Sequence, residues 1–174
     1  MPEDYHPFFG TDTRLDVKGQ SDPDGAVRLD RLELQSAALD VSGRLTMAPG
    51  GKLTEAILDA EVRPVPGATT VLLPISGPQT RITSASLNLL KDADSGDGFE
   101  LTATLRDLTR PDTTLDGVDI SLKGTLDQSD GIALDAQLSA ALNGLIFTDE
   151  DLNRAVGQDI TLDTRLLTDG EAFR

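Results

Sequence analysis

Apolar residues recur at every second position through most of this chain, and a side-chain period of two fits extended strands with one buried face. Leu15 and Val17 alternate with Asp16 and Lys18, and Val27 and Leu29 set a phase that slips by one residue at Asp30 and Arg31 before Leu32 and Leu34. A bulge or tight turn is expected at the slip, because one extra residue re-aims every side chain beyond it. Leu39, Val41, Leu45 and Met47 keep one phase through Gly43, and Leu58, Ala60 and Val62 form a further run ended by Pro64 and Pro66. The segment from Val71 to Ile75 is apolar but contains Pro74, which suits an edge strand or a connector. Alternation resumes in four runs: Ala85, Leu87 and Leu89; Phe99, Leu101, Ala103 and Leu105; Val118, Ile120, Leu122 and Leu126; and Ile132, Leu134, Ala136, Leu138, Ala140 and Leu142. The pattern predicts about nine or ten strands.

Asp24-Gly25, Asp97-Gly98 and Asp130-Gly131 each fall between alternating runs, where a hairpin needs a positive φ, so antiparallel ladders are expected. One clear helix signal comes late. Thr148 is placed to cap it, Asp149, Glu150 and Asp151 fill its first turn, Leu152, Ala155 and Val156 share a face, and Gly157 stops it. A second short helix is expected before Gly10.

The 174 residues suit one domain, and the hydrophobic share of 38% belongs to a folded chain. A net charge of −15 repels phosphate backbones and argues against nucleic acid as a partner. Cysteine is absent and His6 is the only histidine, which disfavours thiolate, serine-triad and multi-histidine metal chemistry. No run approaches the roughly 18 apolar residues of a membrane span, and the first ten residues lack signal-peptide regions. The expectation is a soluble, unexported protein or a piece of something longer. The aromatic residues are Tyr5, Phe8, Phe9, Phe99, Phe147 and Phe173, so the strands between Gly10 and Gly98 must pack with aliphatic side chains alone. Repeated small aliphatic rungs suit a sheet that stacks strand on strand and curls, more than a sandwich filled by large rings.

The chain also echoes itself. Gly10, Asp12, Leu15 and Asp16 recur as Gly157, Asp159, Leu162 and Asp163 at one constant offset, and acidic residues precede each copy, Glu3 and Asp4 or Asp149 to Asp151. Leu29, Asp30, Leu32 and Leu34 are echoed by Leu115, Asp116, Val118 and Ile120. The expected division is a β-rich repeat unit over residues 1–147 and the helix and strand that start a second unit over 148–174.

The helix, glycine and strand entry at Leu152 to Leu162, the Leu39-Asp-Val-Ser-Gly-Arg-Leu45 strand, the Val71-Leu-Leu-Pro-Ile-Ser-Gly77 connector and the Leu115 to Leu126 strand together resemble the TamB family. These are AsmA-like proteins of Gram-negative bacteria, here of alphaproteobacterial type, and the resemblance runs from about Tyr5 to Leu167. It implies a mainly β fold, an elongated sheet curled into a trough with an apolar interior, of the β-taco or solenoid-like kind, with one or two short helices. It implies a periplasmic location and an inner-membrane anchor outside this sequence. It also implies a TamA-like outer-membrane barrel as partner, met through a region outside this sequence, and phospholipid as cargo. Function would then be non-enzymatic: shielding and conducting acyl chains between membranes and supporting outer-membrane protein assembly.

The alternating positions allow a closed dry core or an open trough, and the resemblance favours the trough. Its expected lining is Leu15, Val17, Val27, Leu29, Leu39, Val41, Leu45, Leu87, Leu89, Leu101, Leu105, Ile120, Leu122, Leu126, Leu134, Leu138 and Leu142. No catalytic residue, cofactor or metal is assigned. Asp92, Asp94, Asp97 and Glu100 invite comparison with a calcium loop, but Gly96 is out of register with one and Ala103 stands where a bidentate glutamate would be, so a solvated hairpin tip fits better. Asp22 and Asp24 beside Gly25 fit the same description. His6 suits a surface position, and Tyr5, Phe8 and Phe9 suit an end plug or a packing face. The rival of another class is an acidic, calcium-stabilised adhesion or surface module, which the Asp-Gly turns would also fit. A hydrolytic carboxylate pair is the weakest candidate, since no sequence feature selects one among so many acids.

Overall fold

Alternating aliphatic and polar side chains give a strand two different faces, and antiparallel neighbours in register extend each face across a sheet. The computed structural model describes residues 5–129 and 132–169. It contains α1 (His6–Phe9), β1 (Arg14–Ser21), β2 (Val27–Gln35), β3 (Leu39–Met47), β4 (Leu53–Val62), β5 (Val71–Leu72), β6 (Arg81–Ile82) and β7 (Ser84–Lys91). There follow β8 (Gly98–Thr109), β9 (Thr113–Asp127), β10 (Ala133–Asn143), β11 (Ile146–Phe147), α2 (Glu150–Val156) and β12 (Ile160–Asp169). The strands form one open antiparallel sheet with the path β1-β2-β3-β4-β7-β8-β9-β10-β12. Eight of the nine strands of this path are runs that the alternation predicts, and β12 is the strand expected after the late helix. The two-residue strands β5, β6 and β11 lie off the path, β5 within the Val71 run expected to be an edge or a connector.

The phase slip at Asp30 and Arg31 is a bulge. Leu29 pairs with Leu45 and Leu32 with Gly43, so β2 spends an extra residue there and returns its aliphatic side chains to the same face. On the other side of β2 the register shifts between Lys18 and Gly19.

Three turn and helix details differ from expectation. Between β7 and β8 the positive φ falls on Gly96, after a 3-10 turn capped by Asp92, and Gly98 already belongs to β8. Asp149 caps α2 in place of Thr148, its carboxylate accepting from the backbone N–H of Asp151 and Leu152. A carboxylate beside two free N–H groups outcompetes a hydroxyl for that role. Ile132 lies outside β10 and is exposed. The Asp24-Gly25 turn sits between β1 and β2, with Gly25 at φ 89°. The Asp130-Gly131 turn, Glu3, Asp4 and Phe173 lie outside the described residues.

A plug closes one rim of the sheet. The connector between β4 and β7 leaves the sheet, forms the β5–β6 pair and returns, and its Val71 and Ile82 bury Phe8 of α1 and Ala38. Phe9, Leu39, Val62, Leu105 and Leu108 pack around that cluster. Tyr5 reaches the same connector, its hydroxyl donating to Ile75 O at 3.4 Å. Among the described residues no helix is long and apolar enough to cross a membrane.

Candidate functional site

Cross-strand partners share a face, so the registers assign every side chain on the path. One row across the sheet reads Leu15, Leu34, Val41, Ala60, Leu87, Ala103, Ile120, Ala140 and Leu162. The next row reads Val17, Leu32, Gly43, Leu58, Leu89, Leu101, Leu122, Leu138 and Thr164. A third joins Leu39, Val62, Ala85, Leu105, Val118, Leu142 and Ile160. Val27 and Leu29 fall on this face through Met47 and Leu45, and Leu126 joins it opposite Leu134. Every predicted lining residue therefore lies on a single apolar face.

The opposite face carries cross-strand polar pairs. Arg31 bonds Asp16 at 3.3 Å, Arg44 bonds Glu55 at 2.7 Å, Arg106 bonds Asp119 at 2.6 Å and Lys123 meets Glu100 at 2.8 Å. Arg63 clamps Asp40, and Asn88 donates to Asp59 at 2.5 Å. Arg165 grips Asp135 with two bonds, Nε to Oδ1 at 2.7 Å and Nη2 to Oδ2 at 2.6 Å. That fork holds the Asp135 carboxyl below its ordinary range, chiefly through the hydrogen bonds from Arg165 and then through its charge, and it raises Arg165 in turn. Asp127 is also lowered, first by hydrogen bonds from the Ser129 side chain and backbone. Exposed pairs of this sort add little stability singly, but their sequence along the sheet keeps this face wet and fixes which way the sheet turns inside out.

The apolar face is concave at its centre. A cavity of about 340 Å³ opens there, lined by Ala60, Val62, Ala85, Leu87, Ala103, Leu105, Val118 and Ile120 from four adjacent strands. Ser86 and Thr104 also border it, but their hydroxyls bond each other at 2.8 Å on the polar face. Leu87, Leu105 and Ile120 belong to the predicted lining, whereas Ala60, Val62, Ala85, Ala103 and Val118 do not. The missed signal was the small residue in the same phase as the leucines: where alanine replaces leucine in a row, the floor drops and a volume opens.

At the plugged rim the face is covered by α1 and the connector. At the opposite rim it closes differently. Lys91 continues the phase of Leu87 and Leu89 onto the apolar side and is 2% exposed, its Nζ donating to Gly96 O at 2.6 Å beneath the β7–β8 turn. A lysine stem with its head on a backbone carbonyl fills the groove like an aliphatic residue. Nothing in the alternation singled it out.

At the far edges the face is uncovered, with Leu15 and Val17 on β1 exposed, as are Leu162 and Leu166 on β12. Three of the acids weighed for calcium are engaged elsewhere: Asp92 caps its 3-10 turn, Asp97 lies 3.5 Å from Lys52 and Glu100 meets Lys123. Among the described residues no group of three His, Cys, Asp or Glu side chains is gathered as a metal cage requires.

Fold and face together define an open, one-sided antiparallel sheet whose apolar side is a shallow groove and whose polar side is a lattice of ion pairs and hydrogen bonds. No protein-family model, no curated protein and no solved structure matches the chain.

Proposed function

We propose that this chain is a segment of a TamB-like periplasmic protein whose groove shields phospholipid acyl chains on their way between membranes, with no catalytic step. One observation carries the proposal: an aliphatic face runs across nine strands and holds an open cavity at its centre, bordered by only two polar side chains, Ser86 and Thr104, whose hydroxyls bond each other on the other face. A monomeric sheet normally covers such a face, and an uncovered one marks a site for an apolar ligand or partner. The cavity falls in the size range of ligand sites, roughly 300–1,000 Å³. Each methylene that enters it gains about 0.8 kcal/mol, so affinity grows with chain length and needs no polar recognition. Headgroups project past the rim into water, where the charge of −15 keeps anionic groups from settling. In this proposal the inner-membrane anchor and the contact with a TamA-like barrel, through which assembly of outer-membrane proteins is supported, belong to other parts of a longer protein.

Native mass spectrometry of the purified chain tests the proposal. The expected result is phospholipid retained on the chain, and rebinding of a fluorescent fatty acid after lipid removal with affinity that rises with acyl length. A chain that carries no lipid and binds no acyl probe at any length would remove the proposal.

A further inference from the structure

The chain contains two copies of one local structure, and only one is covered. Gly10 (φ 69°, ψ −166°) ends α1 and Gly157 (φ 81°, ψ 176°) ends α2 in the same glycine-only conformation. Gly10 N donates to His6 O at 2.8 Å, and Gly157 N donates to Asn153 O at 3.1 Å, each reaching back four residues. Beyond the glycines the same spacing aligns Leu15 with Leu162, Asp16 with Asp163, Lys18 with Arg165, and Asp22 with Asp169.

Around the first copy, the β2–β3 hairpin closes down. Ala37 N donates to Phe9 O at 3.2 Å and Ala38 N to Phe8 O at 3.0 Å, while Arg31 of β2 bonds Asp16 of β1. A Cβ on Gly10 would lie 2.8 Å from that of Ala37, so the turn sits directly on the glycine. Around the second copy no hairpin closes down, and Asp163 accepts only from Ser139 Oγ of β10, at 2.6 Å, among the described residues. A Cβ on Gly157 would meet nothing within 4 Å, and Leu152 and Val156 are 47% and 42% exposed, where their counterparts Tyr5 and Phe9 are half-buried. Among the described residues β12 pairs only with β10, and no donor from another segment reaches the carbonyls of Ala155 or Val156.

We infer that α2, Gly157 and the free edge of β12 form a seat for a β-hairpin of the β2–β3 kind. Its first strand carries alternating aliphatic residues and an arginine to meet Asp163, and its turn is built of small residues that lie on Gly157. The covered first copy supplies the template: the same strand edge, the same glycine and the same acid are already filled there by such a hairpin. Strand addition then completes a ladder and covers Leu152 and Val156 in one step. The inference does not depend on lipid binding.

A synthetic peptide spanning residues 25–48 is the probe, titrated into the full chain and followed by amide hydrogen exchange. Added protection is expected in β12 and α2. Gly157→Ala and Val156→Glu in the chain should abolish it, although neither residue is buried in the free protein. Arg31→Glu in the peptide should weaken binding by roughly two- to fivefold, and Asp163→Arg in the chain should restore it. To guard against a peptide too disordered to bind, the same hairpin is also joined to Arg174 by a flexible glycine-serine linker. No protection of α2 with either form would overturn the inference, as would protection unaffected by the Gly157 and Val156 variants. Chains that associate through β12 alone and leave α2 unprotected would overturn it as well.

Discussion

Gln128 behaves toward Leu53 as a neighbouring strand would: its Oε1 accepts from Leu53 N at 2.9 Å and its Nε2 donates to Leu53 O at 3.3 Å. Leu53 begins β4 and Gln128 follows β9, with β7 and β8 between them in the sheet. Three strand spacings in a flat sheet would put them about 14 Å apart, beyond the reach of a glutamine. The sheet therefore bends over the β7–β8 turn, and the bend is what hides Ala56 and Lys91 on the apolar side.

Replacing Gln128 by Ala should lower the unfolding free energy by about 1–3 kcal/mol, because it strands a part-buried N–H and C=O pair on Leu53. Gln128→Glu keeps the acceptor and loses the donor, so it should fall between wild type and Ala. Urea denaturation reads both, and hydrogen exchange at the Leu53 amide should quicken in the alanine variant. Equal midpoints for all three proteins would mean that the bend is held elsewhere.

The depth of the groove rests on Ala103, which lies between Leu87 and Ile120 in its row. Ala103→Phe fills open volume and not packed core, so it should leave stability within about 1 kcal/mol of wild type or raise it slightly. Acyl-probe binding should fall sharply at the same time. A variant that binds the probe as well as wild type would show that the cavity is not the seat, and one that unfolds would show that the cavity is smaller in solution.

Much of this was legible in the chain because period two is a strong signal where one face must stay dry. A bulge or tight turn at Asp30 and Arg31 could be read before any fold was known, since Leu29 and Leu32 fall out of phase by one residue, and the pairing with β3 makes it a bulge. Strand neighbours were hinted at by turns such as Asp24-Gly25. The cavity was not legible, because depth depends on which alanines come side by side across strands, and register is a tertiary fact. Lys91 was invisible for a related reason: its burial depends on Gly96 O lying above it, which no local pattern encodes. The α2 face was legible as apolar, yet sequence alone could not reveal that nothing in the described residues covers Leu152 and Val156.

Acid should loosen the β10–β12 pair. The Asp135 carboxyl is lowered in the folded chain by Arg165, from an ordinary value of 3.8. Its contribution to stability is therefore complete above that ordinary value and is lost as pH falls through the lower folded one. Asp127 adds to the same window through Ser129. Carboxyl NMR titration should show Asp135 titrating below a typical aspartate, and Arg165→Met should return it to the ordinary range. An Asp135 that titrates normally in the wild-type chain would mean that the fork is not held in solution.

The two helix-ending glycines offer a comparison of one conformation in two settings. Alanine at either position must adopt a backbone region nearly closed to it, at a cost of about 1–3 kcal/mol. At Gly157 that is the whole expected cost, since open space surrounds the new methyl. At Gly10 the methyl also collides with Ala37, whose N–H bonds Phe9 O, so the turn must lift and the Phe8 plug must loosen with it. Gly10→Ala should therefore destabilise the chain clearly more than Gly157→Ala, and the double variant should sum the two because the sites share no partner. Thermal unfolding of the three variants measures this difference. If the two single variants melt together, the β2–β3 turn does not press on Gly10, and the contrast between a filled and an empty seat disappears with it.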